Sequence, residues 1–299
     1  MQLYKKNIDF KEPITLCVSG NLGFECFNYI YGRNCNIVAV FTDKKSAHII
    51  DLAKCHDIPL FIGNPRGGKG KEFLTSKAIG ILFSVNYLYI IDSEMLQLSW
   101  TYAINLHGSL LPKYRGRTPH VWAIINGEEE VGITAHIMED SCDTGNIVSQ
   151  YKLPVDRDTD TGATILEKYK EIYPLLISEI CAQISTNKIV LTPQDHSKAT
   201  YFGKRTAADG IIDWNWFKER IFSWVQAQAH PYPGAFTFYN GEKITIDRVD
   251  FEDSSYSSDI PNGFILKGGK QPLIKVPNGV IKITKNRSQV TFNDNDIIQ

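Results

Sequence analysis

The sequence predicts an α/β fold: a mostly parallel sheet with helices, followed by a smaller C-terminal domain that is β-rich and barrel-like. Three observations lead there. Short apolar runs alternate with helix-like segments through the first half of the chain, the pattern of βαβ units with right-handed crossovers. A long helix and a polar connector then separate this half from the rest. After Gly234 the pattern changes to alternating runs divided by Asn-Gly and Gly-Gly turns, as in hairpins.

In chain order, residues 14–20 form an apolar run ending in Gly20, and residues 22–31 read as a helix. Residues 36–42 form a second, buried strand, residues 46–56 a helix, residues 59–62 a third strand and residues 79–84 a fourth. Residues 102–107 make a fifth strand, and a further strand-like run covers residues 132–137. In such a Rossmann-like sheet ligands collect at the carboxyl ends of the strands, where Gly20, Thr42, Ser84 and His107 would lie. Ser19-Gly20-Asn21-Leu22-Gly23 holds two of the glycines of a dinucleotide fingerprint, and a tight βα turn is the preferred reading. Residues 161–184 read as a long helix interrupted or bent at Pro174, and residues 187–200 as a polar connector. Residues 214–229 are helical, with Phe217, Ile221, Trp224 and Val225 at core spacing. Residues 235–239, 243–249, 263–266 and 280–284 are the strands of the last domain. The expected division is a catalytic domain over residues 1–200 and a linker helix with the β-rich domain over residues 201–299.

Composition narrows the class. With 43% hydrophobic and 22% charged residues, the 299-residue chain can bury a sizeable core. A net charge of −1 gives no global basic field for nucleic acid or an anionic membrane. The six cysteines show no Cys-x-x-Cys pair and no histidine at zinc spacing, so free thiols in a reducing compartment and no metal are expected. Met1 to Lys11 lacks the apolar region of a leader, and no run approaches the roughly 18 apolar residues of a membrane span. A cytoplasmic protein is expected.

The chemistry concentrates between Asn105 and Asp143. Asn105 and His107, two apart on the fifth strand, share one of its faces. In the core string Asn105-Leu-His107-Gly-Ser109-Leu-Leu-Pro112-Lys-Tyr-Arg115-Gly116, Pro112 and Gly116 turn the segment after His107 into a loop. Asp143, in Asp143-Thr144-Gly145, follows the strand-like run. Amide, imidazole and carboxylate together can polarise a carbonyl, move a proton and hold a tautomer. Arg115 and Arg117 are candidates for a substrate phosphate, set against solvated surface. Ser109 is a candidate for loop shaping or substrate contact, and Lys77 for a sugar or phosphate. His120 and His136 are assigned to packing.

The string Asn-x-His-x-Ser-Leu-Leu-Pro-x-x-x-Gly, with Asp-Thr-Gly after a strand, resembles the signature of the formyltetrahydrofolate-dependent formyltransferases. Downstream, Tyr201-Phe-Gly-Lys-Arg205, Asp209-Gly-Ile-Ile-Asp213-Trp214 and His230-Pro-Tyr-Pro-Gly-Ala235 are similar to the interdomain segment of the tRNA and sugar branches. The resemblance covers about residues 13 to 240, and the last sixty match in general character only. It implies that Asn105, His107 and Asp143 are catalytic, and that 10-formyltetrahydrofolate is the co-substrate, bordered by Ser84, Asn86, Tyr87 and Asp140. Ser84-Val-Asn86-Tyr87 resembles the nucleotide-sugar branch, and after Arg117 the run Thr118-Pro-His120-Val-Trp122 stands where the tRNA branch carries a small-residue Ala-Ala-Pro-Ile-like run. The implied acceptor is the amine of a dTDP-linked amino-dideoxyhexose used in surface polysaccharide such as O-antigen, with no nucleic-acid partner and a homodimeric assembly. Methionyl-tRNA formyltransferase and a non-catalytic nucleotide-sugar-binding protein are the alternatives.

Overall fold

Strand-forming residues dominate the runs that build the first sheet. They are Ile14–Val18 (β1), Ile37–Thr42 (β2), Leu60–Ile62 (β3), Ile81–Val85 (β4) and Tyr102–His107 (β5). The helices between them are Gly20–Tyr31 (α1), Ala47–Cys55 (α2), Lys69–Leu74 (α3) and Ser93–Leu96 (α4). After β5 come Arg115–Gly116 (β6), Pro119–Ile125 (α5), Glu130–Ile137 (β7), Ile147–Pro154 (β8) and Gly162–Ser185 (α6). The computed structural model describes residues 10–98 and 100–299; residues 1–9, which hold most of the start read as leader-free, lie outside them.

The seven-stranded sheet has the order β3–β2–β1–β4–β5–β7–β8. β1 to β5 are mutually parallel, and β7 runs antiparallel to β5. β1 and β4 are buried at every position, as strands covered on both faces must be. One face carries a cluster of Cys17, Ala39, Phe41 and Leu82, packed on Leu74 of α3 and Met95 of α4. These two helices and β8 are too short or too weakly patterned to stand out in sequence. α6 runs through Pro174 without the interruption that was one of the two outcomes expected there. A proline removes one helical hydrogen bond, and here Tyr173, Leu176, Ile177 and Ile180 are all buried around it, so packing holds the turn.

The chain divides into two compact units. The first comprises Met1–Gly116, Gly132–Leu153 and Leu166–Tyr201; the second comprises Arg117–Val131, Pro154–Ile165 and Phe202–Gln299. The second contains an antiparallel sheet with the order Ala235–Tyr239 (β10), Glu242–Glu252 (β11), Gly279–Asn286 (β14), Leu273–Val276 (β13) and Ile265–Lys267 (β12); β9 is Tyr201–Phe202. β10 and β11 are joined by Asn240-Gly241, both at positive φ (49° and 80°), the two-residue loop that suits the twist of a hairpin. The fold is therefore the expected α/β sheet with a smaller β-rich domain, to which the sequence reading had not added β13.

Helix Lys218–Gln228 (α7) buries Ile221, Trp224, Val225 and Gln228, one face at helical spacing. Beside it the second unit builds a ladder of alternating cations and rings. The Arg205 guanidinium lies 4.9 Å from the Trp122 ring centre and 4.3 Å from that of Trp224, and Arg220 stacks 5.4 Å from Trp224 and 5.6 Å from Trp216. Trp224 is 7% exposed and its Nε1–H donates to the Gly210 carbonyl at 3.2 Å. Trp224→Ala is expected to destabilise the second unit by about 3–5 kcal/mol. The check is the denaturant midpoint followed by circular dichroism; an unchanged midpoint would mean the ladder adds nothing.

Candidate active site

The apolar face of the large sheet turns polar toward the carboxyl ends of its strands. In register across the sheet, Cys17 pairs with Ser84, Ser84 with Asn105, and Asn105 with His136. Residues paired in this way project on the same face. His107, two residues past Asn105, pairs with Thr134. Amide and both imidazoles thus stand together because β7 reverses direction beside β5.

The hydrogen bonds fix which atoms face the site. The Nε2–H of His107 donates to the Tyr114 carbonyl at 2.8 Å, since a carbonyl can only accept, so the neutral ring keeps its lone pair on Nδ1. The Nδ1–H of His136 donates to the Ile137 carbonyl at 2.9 Å, leaving Nε2 as an acceptor. The Asn105 amide must then present its NH2 group to that Nε2, at 3.1 Å, and keeps a second N–H for another acceptor. Asp143 closes the group, its Oδ1 lying 3.6 Å from His107 Nδ1 and 3.5 Å from His136 Nε2. The Gly116 N–H donates to Asp143 Oδ2 at 2.9 Å.

The sequence reading gave Asp143 the tasks of orienting His107 and of raising its pKa by opposite charge. In the structure the Tyr114 carbonyl holds the tautomer, and Asp143 acts on the imidazole through charge. The aspartate loop is tightly determined. Asp143 has φ +59°, and a Cβ at Gly145 would lie 2.0 Å from the Ile137 carbonyl oxygen, so glycine alone fits there.

Burial pushes the Asp143 carboxyl upward, but His107, His136 and the Gly116 N–H outweigh it and bring its pKa down to about 2. For His107 burial prevails: it lowers the imidazole from its ordinary value, against the raising effects of Asp143 and the Tyr114 carbonyl. At neutral pH the site therefore presents an anionic carboxylate beside a neutral imidazole with its lone pair toward that carboxylate. Such a pair accepts a proton from a nucleophile and holds it as an ion pair, while the Asn105 N–H is free to meet an oxyanion.

The remaining candidates scatter. Ser84, 6% exposed, neighbours Asn105 on β4. Asn86, at φ +51°, donates from Nδ2 to the Ser19 carbonyl at 3.1 Å. The Tyr87 hydroxyl donates to the Gly63 carbonyl at 3.3 Å, and burial pushes its phenol up. Asp140 is exposed on the loop before Asp143. Ser109 donates to the Lys113 carbonyl at 2.8 Å and so shapes its loop. Arg115 was a candidate for substrate phosphate; it is 1% exposed and directs its guanidinium to Gln194, His196 and Tyr201. Lys77 precedes the amino end of β4, opposite the polar edge, with its Nζ 4.8 Å from the Phe73 ring centre. Arg117 is exposed in the second unit.

His120, given to packing, is 8% exposed and its Nε2 meets the Tyr232 hydroxyl at 2.9 Å. His136, also given to packing, instead borders both Asn105 and Asp143. The polar alternation Thr134-Ala135-His136 on an otherwise apolar strand was the signal available for it. Among the described residues no group of three or more His, Cys, Asp or Glu is placed to hold a metal ion. No helix among them is long and apolar enough to cross a membrane.

Two family models match the chain: one described as formyl transferase over residues 28–180, the other as formyl transferase, C-terminal domain, over residues 204–294. Solved structures share the fold. An N-formyltransferase from Helicobacter canadensis, in complex with folinic acid and dTDP-3-aminofucose, is 20% identical, with 92% of this chain and 99% of that one covered at a TM-score of 0.72. The sugar 3N-formyl transferase WlaRD, crystallised with dTDP and 5-N-formyl-THF, is 18% identical, covering 94% and 99% at 0.69. A 4-N formyltransferase from Francisella tularensis is 20% identical, covering 79% and 96% at 0.64.

Proposed function

Because the chain belongs to the formyl transferase family, carrying both its N-terminal and its C-terminal domain, we propose that it moves a formyl group from 10-formyltetrahydrofolate to the amine of a dTDP-linked amino-dideoxy sugar. The observation that carries the reaction type is the polar cluster of Asn105, His107, His136 and Asp143 at one sheet edge. The acceptor and donor are supported by the structural neighbours, two of which were solved with dTDP or a dTDP-sugar together with a formylated folate. The net charge of −1 agrees with a small anionic substrate better than with tRNA.

In this reading the neutral amine attacks the formyl carbon, and the carbonyl electrons move onto oxygen. The free N–H of Asn105 stabilises that oxyanion. The proton lost by the amine passes to His107 Nδ1, where the Asp143 carboxylate holds it. Collapse of the tetrahedral adduct breaks the bond to the folate nitrogen, which takes the proton as it leaves. Ser84, Asn86, Tyr87 and Asp140 border the folate. Beside them the exposed Leu88 and Ile90 offer an apolar wall for its aromatic rings. The same reading makes the enzyme a cytoplasmic homodimer whose product enters surface polysaccharide such as the O-antigen of lipopolysaccharide.

The test is direct. A dTDP-amino-dideoxyhexose incubated with 10-formyltetrahydrofolate and the protein is expected to gain about 28 mass units, the formyl group replacing one amine hydrogen. Formylation of methionyl-tRNA with no reaction of any amino sugar would overturn the sugar reading and keep the reaction.

A further inference from the structure

The hold on Asp143 extends beyond the residues that touch the reacting centre. Gln194, 6% exposed, lies in the connector after α6, where Thr192 and Ile147 exchange two backbone hydrogen bonds of 2.8 Å each. Its Nε2 donates to the Asp143 carbonyl at 3.0 Å and to the Gly145 carbonyl at 2.7 Å. Its Oε1 accepts from Arg115 Nη2 at 2.6 Å. The amide orientation is forced, because arginine offers only donors and both carbonyls only accept. Arg115 is anchored in turn by the Tyr201 hydroxyl at 2.5 Å and by His196 Nδ1 at 3.0 Å, and its own N–H donates to the Thr200 carbonyl at 2.8 Å.

Two adjacent residues therefore reach Asp143 by separate routes. Gly116 holds the carboxylate through its N–H, and Arg115 holds the main chain through Gln194. An aspartate in the left-handed region persists only where its surroundings over-determine it. We infer that Gln194, braced by Arg115, is a positioning residue that fixes the Asp143 backbone so that its carboxylate stays beside His107 and His136. This inference rests on the role given to Asp143 above.

Gln194→Met keeps the side-chain length and removes the amide. A displacement of about 1 Å at a reacting group can cost about 10²-fold in rate. The expected result is a kcat lower by about 30- to 100-fold, with the KM for both substrates within about threefold of wild type. Gln194→Glu preserves the acceptor for Arg115 but turns an oxygen toward two carbonyls, and a similar loss of kcat is expected. Wild-type kcat in Gln194→Glu would show that the glutamine merely satisfies Arg115, and would overturn the inference. Lower thermal stability with unchanged kcat in both variants would overturn it as well. If Gln194→Met does not fold, Gln194→Glu decides alone by the same criterion. Asp143→Asn separates the two levels. Should it retain full activity, the role of Asp143 itself is wrong. Should it be inactive while Gln194→Met is unimpaired, only the positioning role fails. The double variant is expected to be no slower than Asp143→Asn, because both act through one carboxylate.

Discussion

His107→Gln is expected to lower kcat by about 10²–10⁴-fold, the range over which a positioned acid–base group contributes. Glutamine is the informative replacement: its amide can still donate to the Tyr114 carbonyl, but it has no nitrogen that takes up a proton at working pH. The pH dependence gives a second measurement. Burial lowers the His107 pKa and Asp143 raises it, with burial prevailing, so in the wild type the acid limb of kcat/KM should fall below the ordinary imidazole value of 6.5. Asp143→Asn removes a raising influence, so that limb should move to still lower pH while the plateau drops. The sign follows from the charge: without the anion, the protonated imidazole is less favoured. Steady-state rates across the acid range check both statements. A limb that moved upward in Asp143→Asn would contradict the electrostatics.

Asn105→Ala is expected to reduce kcat by about 10²–10³-fold, equivalent to about 2.7–4 kcal/mol of transition-state stabilisation. KM should change little, because the formyl oxygen carries its charge only in the tetrahedral adduct. His136 makes an Asn105 N–H available. With its Nδ1–H committed to the Ile137 carbonyl, its Nε2 accepts one N–H of the Asn105 amide and leaves the other available. Single-turnover measurements with both substrates saturating separate this effect from binding. A rise in KM alone would show that Asn105 only holds the ground state.

Sequence reading reached β5 with its correct bounds, Tyr102 to His107, because a two-residue period and the following Pro112 mark the strand and its end locally. Asp143 was legible from its Asp-Thr-Gly setting, and the close approach of Gly145 to the Ile137 carbonyl explains that glycine. What escaped depends on pairing between distant segments. His136 becomes part of the cluster only through the register that sets it against Asn105. Arg115 looks like a surface cation until Gln194, far along the chain, folds over it. Lys77 was open to a simpler check: a residue before a strand lies at its amino end, away from the edge where His107 ends β5. Short helices such as α4, with four residues, offer too little periodicity to find.

The stack of arginines and tryptophans has an optical consequence. Of the five tryptophans, Trp122, Trp214, Trp216 and Trp224 lie in the second unit, and Trp100 lies in the first. Indole emission therefore reports mainly on the second unit, whereas far-ultraviolet dichroism weighs both. Followed together through a denaturation curve, the two signals distinguish a single cooperative transition from the separate melting of each unit. The protein thus carries its own built-in dye for one of its halves.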